Sequence, residues 1–264
     1  MSRCPVLHRR MRNRRRMAQA GFSFIEVGVA LVVAGLMTWA AFSGYTTVSA
    51  QQEVERGRAE AQQLQSILRA FALRHGRLPC PDASAMGNGY ESLNASNECT
   101  SGTQLGWFPY VSVGLENPVD KLRARYAVLR APNADLAQDA DLAVARERTG
   151  DVVGDATYLD VTDLVAALNN ASRLPVAATR PYLTGDEGAA GAIDCAANRV
   201  VAAAYWVVVP LEDRDNDGNR LDPPHGSANL CAANPSAPLR FASDDVVAAE
   251  SPAQLAGWLR KSLP

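Results

Sequence analysis

The longest apolar stretch of the chain lies near its N-terminus. From Phe22 to Tyr45 the sequence has 24 residues with one acidic side chain, Glu26, and no basic one. A helix of this length is about 36 Å long, enough to cross the roughly 30 Å hydrocarbon layer of a bilayer. The pattern therefore predicts a membrane-spanning helix over residues 22–45.

A second pattern continues this helix past the apolar stretch. Apolar residues at spacings of three, four and seven form a stripe made of Val54, Ala61, Leu64, Leu68 and Phe71. Charged residues occupy the opposite face, as in an amphipathic helix. Gly76 and Pro79 then supply stop signals. We expect one helix of about fifty residues, amphipathic over residues 46–75, followed by a globular head over residues 76–264.

The head alternates strand-like and helix-like segments. The segments 123–130 and 199–211 are rich in Val, Ala, Tyr and Trp and predict strands. The segments 160–171 and 251–261 predict short helices with N-terminal caps. Residues 131–151 fit either a surface helix or a loop. The expected fold class is α+β, with the long helix packed on a mainly antiparallel sheet.

Charge is distributed unevenly along the chain. The net charge is −2, but residues 1–21 hold seven Arg and no acid, so the rest carries 19 basic against 28 acidic groups. An acidic body repels phosphate backbones, and general nucleic-acid binding is therefore not expected. The Arg-rich segment before a first span resists translocation, which places the head on the non-cytoplasmic side of the membrane.

The small residues Ala18, Ala20 and Gly21 precede the apolar segment, whereas a secretory signal peptide has such residues after it. The sequence GFSFIE from Gly21 to Glu26 resembles the class III leader of type IV prepilins and type II secretion pseudopilins. The resemblance implies that a prepilin peptidase removes residues 1–21, cleaving between Gly21 and Phe22. It also implies methylation of the new Phe22 amine and a role for Glu26 in filament assembly.

A carboxylate inside an apolar span costs a few kcal/mol unless it has a partner. The N-terminal amine of a neighbouring subunit is the natural partner for Glu26, although a simple anchor that tolerates one charge near the interface is the alternative.

The segment from Gly76 to Asp82, GRLPCPD, also resembles larger prepilin-like proteins. The family implies a minor pilin or pseudopilin in the bacterial inner membrane, with its head in the periplasm or on an extracellular filament. Its expected partners are the prepilin peptidase and other pilin or pseudopilin subunits.

Two other function classes stay open. A tip-borne adhesin or DNA-binding module would need a local basic cluster, for example of Arg173, Arg180 and Arg199. A membrane-anchored periplasmic enzyme would need an active site, but no nucleophile elbow, Walker loop or HExxH helix is present. We therefore expect no enzyme.

Three titratable residues of the head are interpreted as structural rather than catalytic. His225 lies in a Pro-Pro-His-Gly turn. The pair Asp244 and Asp245 is interpreted as a turn or cap rather than an acid–base pair, because consecutive strand residues point to opposite faces.

Four cysteines remain once Cys4 is lost with the leader: Cys80, Cys99, Cys195 and Cys231. An even number in an extracytoplasmic domain predicts two disulfides, for which three connectivities exist. Pairing between sequence neighbours, Cys80 with Cys99 and Cys195 with Cys231, is the preferred one. The ligand spacing of a zinc site is absent.

An acidic loop follows the second predicted strand. Asp213, Asp215 and Asp217 alternate and precede Gly218, as at the start of an EF-hand-like loop. The twelfth position is Pro224 rather than the bidentate Glu of that motif, so Glu212, Asp222 or a backbone carbonyl would have to supply the missing ligand. The spacing suggests a structural Ca²⁺ site, and a solvated acidic turn is the alternative.

Overall fold

A computed structural model describes residues 23–138, 160–185, 194–196, 199–214, 218–237, 239 and 243–262. Over these residues the chain is an α+β protein with a long N-terminal helix, which confirms this part of the predicted fold class. The helices are α1 (Phe24–His75), α2 (Val161–Ala171) and α3 (Pro252–Ser262), with a short 3-10 helix at Asp120–Leu122. The strands are β1 (Leu105–Trp107), β2 (Arg125–Val128), β3 (Tyr182–Thr184), β4 (Arg199–Ala202), β5 (Tyr205–Val209), β6 (Cys231–Ala233) and β7 (Val246–Glu250).

The strands form two sheets. The first has the order β1-β2-β5-β7, and every pairing in it is antiparallel. The second has the order β4-β3-β6, in which β3 pairs antiparallel with β4 and parallel with β6. The head is thus antiparallel in its larger sheet and mixed in its smaller one.

Contacts divide the chain into two compact units, Met1–Ser49 and Ala50–Pro264. The described part of the first unit is helical from Phe24 onward, and its large apolar side chains face outward, with Phe24 94% and Trp39 71% exposed. Among the helices of the described ranges, α1 alone is long and apolar enough to cross a membrane.

In the second unit, the amphipathic part of α1 contributes to the hydrophobic core. Its buried stripe includes Ala61, Leu64, Leu68 and Ala72, which share one cluster with apolar residues of β2, β5 and β7. The helix ends where Gly76 adopts a left-handed φ of +64°, and the Gly76 N–H donates to the Ala72 carbonyl at 3.0 Å. A glycine at this position removes the Cβ clash of the left-handed conformation, which explains why the helix stops there.

Strand β5 is buried on both faces. Tyr205, Val207 and Val209 belong to the cluster that contains the α1 residues, whereas Trp206 and Val208 belong to a second cluster with residues of both sheets. Successive strand residues point to opposite faces, so a strand covered on both sides needs apolar residues throughout. This explains the continuous run YWVVV in place of an alternating pattern.

The prediction of one strand over residues 199–211 is wrong, because the segment forms two strands in different sheets. Between them lie Ala203 and Ala204, both fully buried. The Ala203 N–H donates to the Pro181 carbonyl at 3.0 Å, beside the second sheet, and the Ala204 N–H donates to the Glu250 carbonyl of β7 at 2.7 Å. Apolar composition alone cannot distinguish one long strand from two strands joined at small residues.

The other predicted elements are found with small changes of boundary. Strand β2 lies inside the predicted segment 123–130, and α2 begins directly after its N-cap, Asp160, which forms a capping box with Asp163. Before α3, the Ser251 Oγ accepts from the Gln254 N–H at 3.3 Å, and the Gln254 side chain accepts from the Ser251 N–H at 2.9 Å. Of the ambiguous segment 131–151, residues up to 138 form turns, and the others lie outside the described residues.

The cysteines pair as the sequence suggested, Cys80 with Cys99 and Cys195 with Cys231. The first disulfide lies in the segment after α1, which polar contacts hold in place. Arg77 pairs with Glu91 at 2.6 Å, and the Glu91 carboxylate also accepts from the Cys80 N–H at 2.6 Å. These contacts fix the course of the chain from the helix into the first sheet.

Gly106 allows two backbone segments to touch. Asp82 and Trp107 exchange two backbone hydrogen bonds of 2.9 and 2.8 Å beside it. A Cβ at Gly106 would lie 2.8 Å from the Asp82 carbonyl carbon and closer still to its oxygen, and 3.0 Å from the Pro81 Cβ. Backbone atoms cannot move aside as a flexible side chain can, so even a methyl group separates the two segments.

We expect Gly106→Ala to lower the free energy of unfolding by about 2–3 kcal/mol, as overpacking typically does. Gly257→Ala is the matched control, because nothing lies within 4 Å of a Cβ built at that position in α3. This second change should stabilise the protein by up to about 1 kcal/mol through helix propensity. Urea denaturation of both variants measures the difference, and a stabilising effect of Gly106→Ala would contradict the close approach.

Candidate functional site

The first candidate site is the start of α1. Glu26 lies in the first helical turn, and its Oε2 accepts from the Ser23 N–H at 2.9 Å. The carboxylate therefore satisfies one of the backbone donors that a helix leaves unpaired at its N-terminus. Gly21 and Phe22, the residues of the expected cleavage site, lie outside the described residues.

The acidic loop predicted to hold Ca²⁺ is described only at its ends. Asp213 Oδ2 accepts from the Gly218 N–H at 3.0 Å, and Gly218 has a φ of +90°. Asp215 and Asp217 lie outside the described residues. Ca²⁺ binding by Asp213, Asp215 and Asp217 therefore stays a prediction.

The structure brings together a different set of carboxylates, which the sequence did not predict to converge. Asp222, Asp244 and Asp245 are 4%, 2% and 3% exposed, and one carboxylate oxygen from each lies within 4.8 Å of the others. We call these three residues the acidic cluster. Aspartate is rarely buried to this degree without a partner, so the cluster is the most unusual concentration of charge among the described residues.

Backbone hydrogen bonds between two distant segments hold the acidic cluster together. The Asp244 N–H donates to Asp222 Oδ2 at 2.8 Å, and the Asp222 N–H donates to Asp245 Oδ2 at 2.9 Å. Asp244 and Asp245 precede β7 and are not strand residues themselves. The alternation of strand side chains therefore does not apply to them, and their carboxylates converge instead of pointing to opposite faces. The interpretation of the pair as a turn or cap stays a prediction.

His225 is part of the same arrangement and is not only a turn residue. Its side chain is fully buried, and its Nδ1 lies 2.9 Å from Asp245 Oδ2. Its Nε2 accepts from the Ala233 N–H at 3.2 Å. Because Nε2 is an acceptor, the ring is the neutral tautomer that carries its proton on Nδ1 and donates it to Asp245.

Arg214 contacts the acidic cluster. Arg214 Nε lies 3.0 Å from Asp244 Oδ2, and its Nη2 lies 3.8 Å from Glu53 Oε2 on α1. Burial raises the pKa of Asp244 to about 7, which Arg214 opposes, while Asp222 and Asp245 raise it further. Burial also raises the pKa of Asp245, and the contact with His225 opposes this shift. The arrangement therefore favours uptake of a positive charge.

Two sequence signals mark the acidic cluster in retrospect. Adjacent aspartates stand directly before the apolar run VVAA of β7, a position where a buried strand begins. His225 follows two prolines and so lies on a segment with little conformational freedom. Neither signal identifies Asp222 as their partner, because only the tertiary fold brings that residue close.

Comparisons with known proteins do not assign this chain to a group, since no family model, curated protein or solved structure matches it.

Proposed function

We propose that this chain is a minor pilin or pseudopilin, a structural subunit of a type IV pilus or type II secretion filament. It is assembled through its N-terminal helix after removal of residues 1–21. The observation that carries the proposal is the start of α1. Glu26 is the single charged group in the exposed apolar half of this helix, which follows an Arg-rich segment ending in Gly21.

The exposed side chains of this helix require an apolar environment. Large residues from Phe24 to Val48 are at least 43% exposed, and the most apolar window of α1 is not buried at all. Leaving these side chains in water costs about 1.5–3 kcal/mol each relative to burial. A bilayer before assembly and a bundle of like helices after assembly both meet this requirement. In the bundle, a neighbour's N-terminal amine would pair with Glu26.

The head fits this role through the second half of the same helix. We propose that the amphipathic half of α1 is seated on the antiparallel sheet, with support from the ion pair between Arg69 and Glu250 at 2.5 Å. Gly57 supports the same arrangement, because a Cβ there would collide with Leu211 and approach Val246 to 3.1 Å. The two disulfides suit an oxidising compartment, which favours a periplasmic head on a protein of the bacterial inner membrane.

The size of the head favours a low-copy position over a repeating one. Residues 76–264 are bulky for a subunit repeated along a thin fibre, and a tip or minor position accommodates them better. The role assigned here is structural, and it gives the chain two kinds of partner, the prepilin peptidase and the neighbouring pilin or pseudopilin subunits.

Processing at Gly21 tests the proposal. We expect intact-mass and N-terminal peptide analysis of the membrane-extracted protein to show a chain beginning at N-methylated Phe22 when the peptidase is present, and the full chain when it is absent. Gly21→Leu should abolish cleavage, whereas Ala18→Leu, in the same leader, should be processed normally. An uncleaved chain that retains Arg3 to Arg16 in the presence of the peptidase would overturn the proposal.

A substitution at Glu26 distinguishes cleavage of the N-terminal segment from assembly into the filament. Glu26→Gln removes the charge but keeps the shape of the side chain, so the variant should be cleaved and then be missing from sheared filaments. Glu55→Gln is the control, because Glu55 is a helix carboxylate with a 71% exposed side chain outside the apolar span. Equal incorporation of both variants would exclude Glu26 as an assembly residue.

A further inference from the structure

We propose that the acidic cluster binds a divalent metal ion of the hard, oxygen-preferring class, Ca²⁺, through the carboxylates of Asp222, Asp244 and Asp245. The site is distinct from the loop of Asp213, Asp215 and Asp217, and it does not depend on the filament function proposed above. Its role is to hold together the two segments that supply the ligands.

The first argument is the spacing of the oxygens. One oxygen from each carboxylate lies within 4.8 Å of the other two. Ligand oxygens lie about 2.4 Å from a bound Ca²⁺, so the two most distant ligands of one ion are separated by roughly twice that length. The three oxygens therefore lie close enough together for small side-chain movements to bring them into one Ca²⁺ coordination sphere.

The second, independent argument is a buried carboxylate oxygen of the cluster that has no hydrogen-bond donor. The Asp245 side chain is completely buried, and Oδ2 takes both of its hydrogen bonds, from His225 and from the Asp222 N–H. Asp245 Oδ1 is buried with no hydrogen-bond donor among the described residues. A buried carboxylate oxygen without a donor is destabilising, and coordination to a cation removes that penalty.

Asp244 presents a similar oxygen. Its Oδ2 is buried and has no hydrogen bond of good geometry, although Arg214 Nε lies 3.0 Å away as an ion pair. Arg214 also lies 3.8 Å from Glu53, so it keeps an anionic partner when a metal ion takes Asp244. The Arg214 guanidinium thus contacts both Asp244 of the cluster and Glu53 of α1.

The ligand atoms that the site offers indicate which class of metal ion it binds. Both nitrogens of His225 are engaged, Nδ1 with Asp245 and Nε2 with the Ala233 N–H. No nitrogen or sulfur ligand of the kind that zinc prefers is therefore available from this histidine. Three carboxylates with room for carbonyl or water oxygens match Ca²⁺, whereas Mg²⁺ holds its ligands closer and gives up its waters reluctantly.

Thermal unfolding of the full-length chain in detergent micelles tests the assignment. With Ca²⁺ at a hundredfold excess over its Kd, the unfolding midpoint should rise by about 5 °C or more relative to a chelator-treated sample. Equimolar Mg²⁺ should give a smaller rise. Asp245→Asn should lose the Ca²⁺-dependent rise, whereas Asp217→Asn, in the neighbouring acidic loop, should retain it.

Equilibrium dialysis of the wild-type chain against radioactive Ca²⁺ gives a result even when Asp245→Asn does not fold. Saturable binding that persists in Asp217→Asn, in which the acidic loop is impaired, and disappears when Asp244→Asn is added to that variant supports the cluster. A midpoint that is the same with Ca²⁺ and with chelator, or no bound Ca²⁺ at millimolar concentration, overturns the proposal. Loss of binding in Asp217→Asn with full binding in the cluster variants also overturns it, because the ion would then belong to the loop.

Discussion

Replacing Glu250 with alanine is expected to lower the free energy of unfolding by about 3 kcal/mol, since breaking a buried ion pair by removing one partner is strongly destabilising. The Glu250 side chain is 5% exposed at the end of β7 and has two partners. Arg69 Nη2 on α1 donates to Glu250 Oε1 at 2.5 Å, and the Tyr205 hydroxyl on β5 donates to Oε2 at 2.5 Å. Alanine leaves both groups without their acceptor.

The size of this effect depends on burial, which the control variant tests. The pair of Arg58 and Glu55 has the same chemistry on α1, but its side chains are 55% and 71% exposed. Exposed pairs contribute no more than about 1 kcal/mol, so Glu55→Ala should change the free energy of unfolding little. Tyr205→Phe removes one hydrogen bond while the carboxylate stays, and it should cost roughly 1 kcal/mol.

Guanidinium chloride denaturation of the three variants measures these differences. Equal losses for Glu250→Ala and Glu55→Ala would show that the buried network adds nothing to stability. Arg69 also lies 5.1 Å from the centre of the Trp258 ring on α3. In Glu250→Ala, the contact between Arg69 and Trp258 is therefore where local structure is expected to persist.

Removal of the disulfide between Cys80 and Cys99, by replacing both cysteines with serine, should lower the free energy of unfolding by about 3 kcal/mol. The two residues are separated by 19 positions, and a cross-link of that span removes roughly this amount of conformational freedom from the unfolded chain. The disulfide between Cys195 and Cys231 spans 36 positions. The same relation predicts a loss about 0.6 kcal/mol larger for that pair.

Denaturation of both double variants under non-reducing conditions makes the comparison. A free-thiol assay on the unfolded, non-reduced wild type is the control, and reactive thiols at these four positions would refute the pairing. A much larger loss at the Cys80 pair than at the Cys195 pair would show that local contacts dominate over chain entropy. Glu91 would be the reason, because it accepts from the Cys80 N–H and pairs with Arg77.

The sequence predicts the helices well because their signals are local. The end of α1 depends on Gly76, because glycine tolerates the left-handed φ of +64° found there. Helices α2 and α3 start at capping residues that can be recognised in the sequence. Hydrophobic periodicity and capping depend on residues within one or two turns of each other, so no knowledge of the tertiary structure is needed.

The strands and the acidic cluster are harder to predict because their causes are not local. The division of the segment 199–211 depends on which neighbours accept hydrogen bonds from two buried alanines. Asp222 meets Asp244 only after the chain has closed a loop of more than twenty residues. The sequence pointed to the regularly spaced Asp213, Asp215 and Asp217, while the buried carboxylates were irregularly spaced. Regular spacing of acidic residues along the sequence identifies a metal-binding loop, but it cannot identify a site whose ligands come from separate segments.

The junction between the two strands has a consequence for how the head opens. Ala203 and Ala204 are consecutive, yet the first amide is protected by a carbonyl beside the second sheet and the next by a carbonyl of the first sheet. The hydrogen bonding of the chain thus passes from one sheet to the other at a single peptide bond. Trp206 and Val208 of the larger sheet also share a buried cluster with Leu183 and Ala232 of the smaller one. Opening of the smaller sheet therefore exposes apolar side chains of the larger one, and the two sheets are expected to open together.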